Sequence, residues 1–433
     1  MLAACNTPLG GRDEPHTAGG QPGFPRLGAA LPVGTTSYSN TSLADLFVHL
    51  THDLEWGAQR PTLLRYETPV RVGLMGRGAA QYTGFLDQFL ATLRAQTGIN
   101  ISRAAGPHNM LIRFVPGPAF RARVPAHFCV VAPGTLDWPT FRSDPIKYGT
   151  RAFETAQSLD AMTVFIPDNA EPWLVRVCLI EEITQGLGPA NDLYGLGDSI
   201  FNDDAAHIWP TALDYLMLRA LYQPELRSGL NRQQTRTRAL EVLNRLNPQG
   251  VGGRPLPRLR IREMRGWAKE LRKALAHDAS RSSRLEAARS ATRIAAARAP
   301  GGAHHCHALT VQSRLSEDTP EQRIQTIDRA IRICSNAHGD SDIRVTRLLL
   351  DKARATFRAG RASAAYGISE PLENRLAAYG QDERLVALYA LQAASLRAIQ
   401  QSKRSFTARR HAGEWGAYAL GRDHPDVLRM LGN

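Results

Sequence analysis

The alternation of apolar and polar positions changes character along the chain. Residues 43–54 place apolar side chains at helical spacing, with Ser42 at the N-cap position. Residues 68–75 (TPVRVGLM) alternate as a half-buried strand does. Helical spacing returns over 84–97, and residues 109–115 (NMLIRFV), 128–131 and 161–166 (AMTVFI) read as further strands. Residues 172–186 carry a strong helical pattern and 210–222 another. Strands and helices first, then mostly helices, predict an α+β domain over residues 41–248.

Beyond that domain, residues 249–303 are rich in Gly, Pro, Arg and Ala. Residues 249–258 (QGVGGRPLPR) read as a linker, and 262–297 as one basic, alanine-rich helical stretch whose Lys and Arg form a solvated face. Residues 304–433 are expected to be all-helical, with the pattern clear from about Glu317, and they repeat. Gly339, Gly380 and Gly421 stand 41 residues apart in the contexts Ala-His-Gly-Asp, Ala-Tyr-Gly-Gln and Ala-Leu-Gly-Arg. Val345, Val386 and Val427 keep the same spacing, and the helical pattern breaks at Ala359-Gly360-Arg361. A period of about 40 with two helices per unit predicts an α-solenoid, similar to the longer variety of tetratricopeptide (TPR) repeat, although that consensus is not met. Stacked helix pairs would leave a concave surface for a protein partner. An ordinary helical bundle is the competing architecture.

Composition narrows the class. Of 433 residues, 43% are hydrophobic and 21% charged, which excludes a disordered chain. No run of about 18 apolar residues occurs, which excludes a polytopic helical membrane protein. Five cysteines without C-x-x-C spacing fit neither a disulfide scaffold nor a zinc ribbon. Lys and Arg number 53 against 40 Asp and Glu, a formal charge of +13. Such a charge suits nucleic acid or an anionic surface, the alternative being an arginine-rich composition with no charged ligand. No aromatic interleaving or nucleic-acid motif accompanies it, so nucleic acid is disfavoured as a partner. No Gly-x-Ser-x-Gly elbow, P-loop or dinucleotide loop is present either.

The chemistry concentrates in residues 178–204 (CLIEEITQGLGPANDLYGLGDSIFNDD). Glu181 and Gln185 are an i,i+4 pair on one helix face, with Glu182 beside them. Gly186-Leu187-Gly188 ends the helix, and Asn191 and Asp192 follow the turn. This spacing resembles the metzincin zinc peptidases, whose pattern is H-E-x-x-H-x-x-G-x-x-H followed by a methionine turn. The resemblance assigns metal-ligand positions to Glu181, Gln185 and Asn191 or Asp192, the general-base position to Glu182 and the turn glycine to Gly188. Ser199-Ile200-Phe201 resembles the methionine turn with Phe201 in place of Met. All three histidines are replaced. Zinc favours imidazole or thiolate, whereas Glu, Gln and Asn or Asp form an oxygen set suited to a hard cation. The competing reading makes Glu181, Glu182 and Gln185 ordinary helix residues that cap or pair with arginines.

The longer pattern, Glu-Glu-x-x-Gln-x-Leu-Gly-x-x-Asn-Asp and then Asp-Ser-Ile-Phe-Asn-Asp, resembles a bacterial family of unknown function, DUF2927, over roughly residues 40–248. Residues 224–230 (PELRSGL) and Asn247-Pro248 are similar to that family too. Its members are often labelled lipoproteins, so the resemblance implies a zincin-like fold and a cell-envelope location facing the periplasm. Leu2-Ala3-Ala4-Cys5 has the form of a lipobox, with Cys5 as the lipidated residue and residues 1–40 as lipobox and Gly/Pro-rich tether. That reading requires a start upstream of Met1, because a lipoprotein signal also needs basic and apolar segments ahead of the cysteine. A chance match would leave the protein cytoplasmic. In an oxidising compartment Cys129 and Cys178 could pair, the other reading being two buried free thiols.

His304-His305-Cys306-His307 is expected in a loop beside Gly301-Gly302, where adjacent residues cannot all face one ion. His127 and His207 read as structural histidines. The expected function is therefore a non-catalytic, envelope-located, peptidase-like protein that binds or scaffolds a partner through its helical repeats. It would meet a membrane through a lipid on Cys5 and hold no cofactor. The alternative is a hydrolase using Glu182 as general base with an atypical oxygen-ligated divalent cation.

Overall fold

The computed structural model describes residues 36–54, 58–124, 127–202, 204, 206–257, 263–276, 279–316 and 319–431. Cys5 and the tether up to residue 35 lie outside the described residues. The first half of the chain runs α1 (Asn40–His52), β1 (Val70–Met75), α2 (Thr83–Thr97), β2 (Ile101–Arg103), β3 (Met110–Val115), α3 (Gly117–Arg123), β4 (Val130–Pro133), α4 (Trp138–Ser143), α5 (Arg151–Thr155), β5 (Met162–Pro167), α6 (Pro172–Gly186), α7 (Ala212–Leu221) and α8 (Arg232–Leu246). The N-cap of α1 is Ser39, not Ser42: the Ser39 side chain accepts from the Ser42 backbone N–H at 3.2 Å. The 128–131 strand pattern corresponds to β4 two residues later, because Cys129 is engaged elsewhere.

The five strands form one sheet in the order β2-β1-β3-β5-β4. β1 is parallel to β2 and β3, β3 is parallel to β5, and β4 runs antiparallel along the edge. With three of four pairings parallel, the domain is α/β rather than α+β in character, since each parallel return requires a crossover. Every residue of β5 is buried, as expected of a strand covered on both faces. One face packs Met110, Ile112, Met162 and Val164 against α2 and α6. The other packs Phe165 against Phe120, Trp138 and Phe141. A second core joins α1, α7 and α8 and takes in Leu193, Leu196 and Phe201 from the segment after α6.

The second half is helical: α9 (Arg265–Leu275), α10 (Arg281–Arg298), α11 (Ala303–Leu315), α12 (Pro320–His338), α13 (Ile343–Arg358), α14 (Ala362–Ser369), α15 (Glu373–Ala378), α16 (Asp382–Ala398), α17 (Ser402–Ala419) and α18 (Pro425–Leu431). The basic stretch 262–297 is thus two helices, not one, broken before Ser280, whose hydroxyl caps α10. Neighbouring helices pack on one another in chain order. Gly339, Gly380 and Gly421 all have positive φ (91°, 65° and 101°) and follow α12, α15 and α17. Val345, Val386 and Val427 are all buried, in α13, α16 and α18. Among the described residues no helix is long and apolar enough to cross a membrane.

The two halves meet through charged and apolar contacts. Arg176 of α6 donates to Asp382 of α16 at 3.1 Å and stacks over Tyr418, 3.8 Å from the ring centroid. Arg344 donates to Asp204 at 2.7 Å and to the Gly197 carbonyl at 2.9 Å. Ala206 is buried among Ile343, Leu350 and Leu385. Trp267 packs edge-on against Tyr194 and His304, at 5.2 and 4.7 Å between centroids. The helices therefore hold the chain after α6 at Tyr194, Gly197, Asp204 and Ala206.

Candidate functional site

Helix α6 starts with Pro172 in its first turn, where a missing N–H costs nothing, and runs buried beneath the sheet. Its last two turns bring Glu181, Glu182 and Gln185 to one cavity wall. Glu182 and Gln185 are buried, at 6% and 9% exposure, and Glu181 is half-buried. Gly188 then reverses the chain with φ +138°. A Cβ there would lie 2.7 Å from the Leu64 carbonyl oxygen and 2.8 Å from Leu221 Cδ2. Arg60 fixes this turn by donating to the Gly188 carbonyl at 2.6 Å.

The reversal returns Asp192 to Gln185. Gln185 Nε2 donates to both carboxylate oxygens of Asp192, each at 3.1 Å. Asn191 turns away and donates to the His49 carbonyl of α1 at 2.9 Å. The sequence positions Glu181, Glu182, Gln185 and Asp192 thus share one cavity wall, and Asn191 does not. This donor set does not suit the zinc ion that the peptidase resemblance implies. The Asp192 carboxylate engages the N–H end of the Gln185 amide, so two of the assigned ligand positions are bonded to each other. Among the described residues no group of three or more His, Cys, Asp and Glu is placed to hold a metal.

Downstream, the Ser199-Ile200-Phe201 turn is tied to α7. Asp214 accepts from the Ser199 hydroxyl at 2.5 Å and the Ile200 N–H at 3.0 Å, and closes a capping box with Thr211. Burial pushes the Asp214 carboxyl up to about 6, against hydrogen bonds from Ser199, Thr211 and Ile200 that lower it. Phe201 is fully buried.

The cavity has a volume of about 420 Å³ and lies between the two halves of the molecule. The α/β half contributes α6, the segment at His127 to Cys129, and Asp192, Asp204 and His207. The helical half contributes Arg272, Arg284, His307, Arg314, Arg344 and Arg347. Carboxylates thus line one wall and guanidinium groups the other. Burial alone would raise the Asp204 carboxyl, but the guanidinium of Arg344 outweighs it and holds that carboxyl at about 2. Desolvation pushes His307 down to about 4.

Two disulfides frame the cavity. Cys129 and Cys178 are joined, with Cα atoms 6.0 Å apart, which ties the chain entering β4 to α6. Cys306 and Cys334 are joined, with Cα atoms 4.8 Å apart, which ties α11 to α12. The run His304-His305-Cys306-His307 belongs to helix α11, not to a loop, because the turn is already complete at Gly302. Its donors point around the helix, and Cys306 is committed to Cys334. His127 and His207, read as structural, both line the cavity. The arginine wall was not visible from spacing, since Arg344 and Asp204 lie 140 residues apart. The second disulfide carried no signal beyond an unassigned pair of cysteines.

No curated protein and no solved structure matches the chain. Residues 40–240, the α/β half, match the family model described as Protein of unknown function (DUF2927), which supports the family read from the Glu181–Asp192 pattern.

Proposed function

We propose that this is a non-catalytic binding protein of the cell envelope, built from a zincin-like domain whose cleft is roofed by a TPR-like helical array. The mixed sheet, with antiparallel β4 at its edge and α6 packed beneath it, supports the zincin-like reading. The observation that carries the loss of catalysis is the hydrogen bonding of Gln185 to Asp192. Two positions that would hold a metal in a peptidase satisfy each other instead. Glu182 keeps the general-base position, but a base of this kind acts on a metal-activated water. The helices pack in chain order, which supports a protein partner bound along the array. Two disulfides support an oxidising compartment and agree with lipidation at Cys5.

The test is metal analysis of the purified protein by mass spectrometry, with peptide hydrolysis measured with and without chelator. The expected outcome is no stoichiometric zinc and no cleavage that depends on Glu182. Stoichiometric zinc, or cleavage abolished by Glu182→Ala, overturns the proposal in favour of a hydrolase with Glu182 as general base.

A further inference from the structure

The helical wall of the cavity carries more positive charge than its own partners use. Arg347 of α13 is only 8% exposed and donates through Nη1 to the backbone carbonyl of Asp204 at 2.9 Å. Its Nε is buried and has no hydrogen-bond partner among the described residues. Arg314, in the last turn of α11, donates through Nε to Asp351 at 3.1 Å, while its buried Nη2 has no partner among the described residues. Both arginines line the same cavity. A buried donor left unsatisfied is costly, more so when charged, so two on one wall require a physical reason.

The two carboxylates that act on Arg347, Asp204 and Asp351, each hold another arginine as well. Asp351 is shared between Arg314 and Arg354, and Asp204 is held by Arg344. Arg384 adds a further cation to the group. Burial, with Arg384 and Arg314 alongside, pushes the Arg347 guanidinium well below its ordinary range. A wall of this composition is destabilised when empty and relieved by an anion. Guanidinium groups present their N–H donors in a planar fork that matches carboxylate and phosphate oxygens. At about 420 Å³ the space is of the size that encloses a small molecule.

We infer that the cavity binds a small ligand through an oxyanion, a carboxylate or phosphate, held by Arg314 and Arg347. Glu181, Glu182 and Asp192 line the same cavity from the α/β half, so the anionic end of the ligand is directed to the helical side. This goes beyond the reading above, which places a protein partner along the helical array, and does not depend on it.

The test uses the full chain, with inorganic phosphate and citrate as separate probes and sodium chloride at matched ionic strength as control. Calorimetric binding and the melting temperature are measured for the wild type, Arg347→Gln, Arg314→Gln and the exposed Arg77→Gln. Stabilisation by phosphate, citrate or both beyond chloride is expected, and the stronger probe identifies the oxyanion class. Affinity should fall about tenfold or more in Arg347→Gln and Arg314→Gln and stay unchanged in Arg77→Gln. If Arg347→Gln does not fold, Arg314→Gln decides, because it leaves the Asp204 contact of Arg347 in place. Stabilisation no greater than with chloride, or equal affinity in wild type and Arg314→Gln, overturns the inference. Glu182-dependent hydrolysis would overturn the non-catalytic reading while leaving the anion subsite standing, so the two failures are distinct.

Discussion

Gly188 is the residue on which the site geometry turns. Its φ of +138° and the 2.7 Å approach of the Leu64 carbonyl leave no room for a side chain. Gly188→Ala should therefore destabilise the fold by about 1–3 kcal/mol, read as a lower urea midpoint at unchanged slope. Buried titrating groups give a second residue-level expectation, and they act in opposite senses. Asp214, raised to about 6, favours the protonated fold, so its contribution is complete below its ordinary pKa near 4 and lost as pH rises through about 6. Desolvation lowers His52, His307 and His338 to about 4 each. Their contribution is complete above about 6.5 and lost as pH falls towards 4. Three histidines outweigh one carboxylate, so the urea midpoint should drop between pH 7 and pH 5. A midpoint that rises over that interval would contradict the burial of these imidazoles.

At the scale of elements, the two disulfides fasten pairs that backbone hydrogen bonds do not join: the entry of β4 to α6, and α11 to α12. The Cys129–Cys178 link spans 49 residues, for which chain entropy gives about 4 kcal/mol. Cys129→Ser with Cys178→Ser should lower stability by an amount of that order in urea titration. Thiol titration of the denatured, unreduced protein should find at most one reactive thiol, that of Cys5. Five reactive thiols would exclude both links. The strongest periodic segments were legible from sequence, because their apolar faces decide their structure: the 172–186 pattern is α6 residue for residue. The short helices α3, α4 and α5 and the three-residue β2 were not, since so few residues carry no period. The 41-residue spacing of Gly339, Gly380 and Gly421 was legible because positive φ favours glycine at each, but the two helices expected per interval are three between Gly339 and Gly380 and two between Gly380 and Gly421. Half of the site, the α6 wall with Asp192, could be read from one continuous motif. The arginine wall could not, because helices far along the chain bring it there.

On the scale of the whole molecule, the interface between the halves rests on a buried ion pair. Arg344 and Asp204 have side chains 8% and 10% exposed and meet at 2.7 Å. Removing one partner of such a pair strands the other charge at a cost of about 3–5 kcal/mol. Arg344→Ala should therefore loosen the segment 192–208 and make it sensitive to limited proteolysis while the sheet core persists. Protection equal to the wild type would mean that the apolar contacts around Ala206 and Trp267 suffice to hold it.

The grip on that segment also imposes a timetable on synthesis. Asp204 leaves the ribosome 140 residues ahead of Arg344, a lag on the order of ten seconds at cellular elongation rates. Through that interval the carboxylate has no guanidinium to meet and must stay hydrated, so the first half waits incompletely closed. Chains that stop short of residue 344 should remain in that state and be cleared by quality-control proteases, so that only the full-length product accumulates.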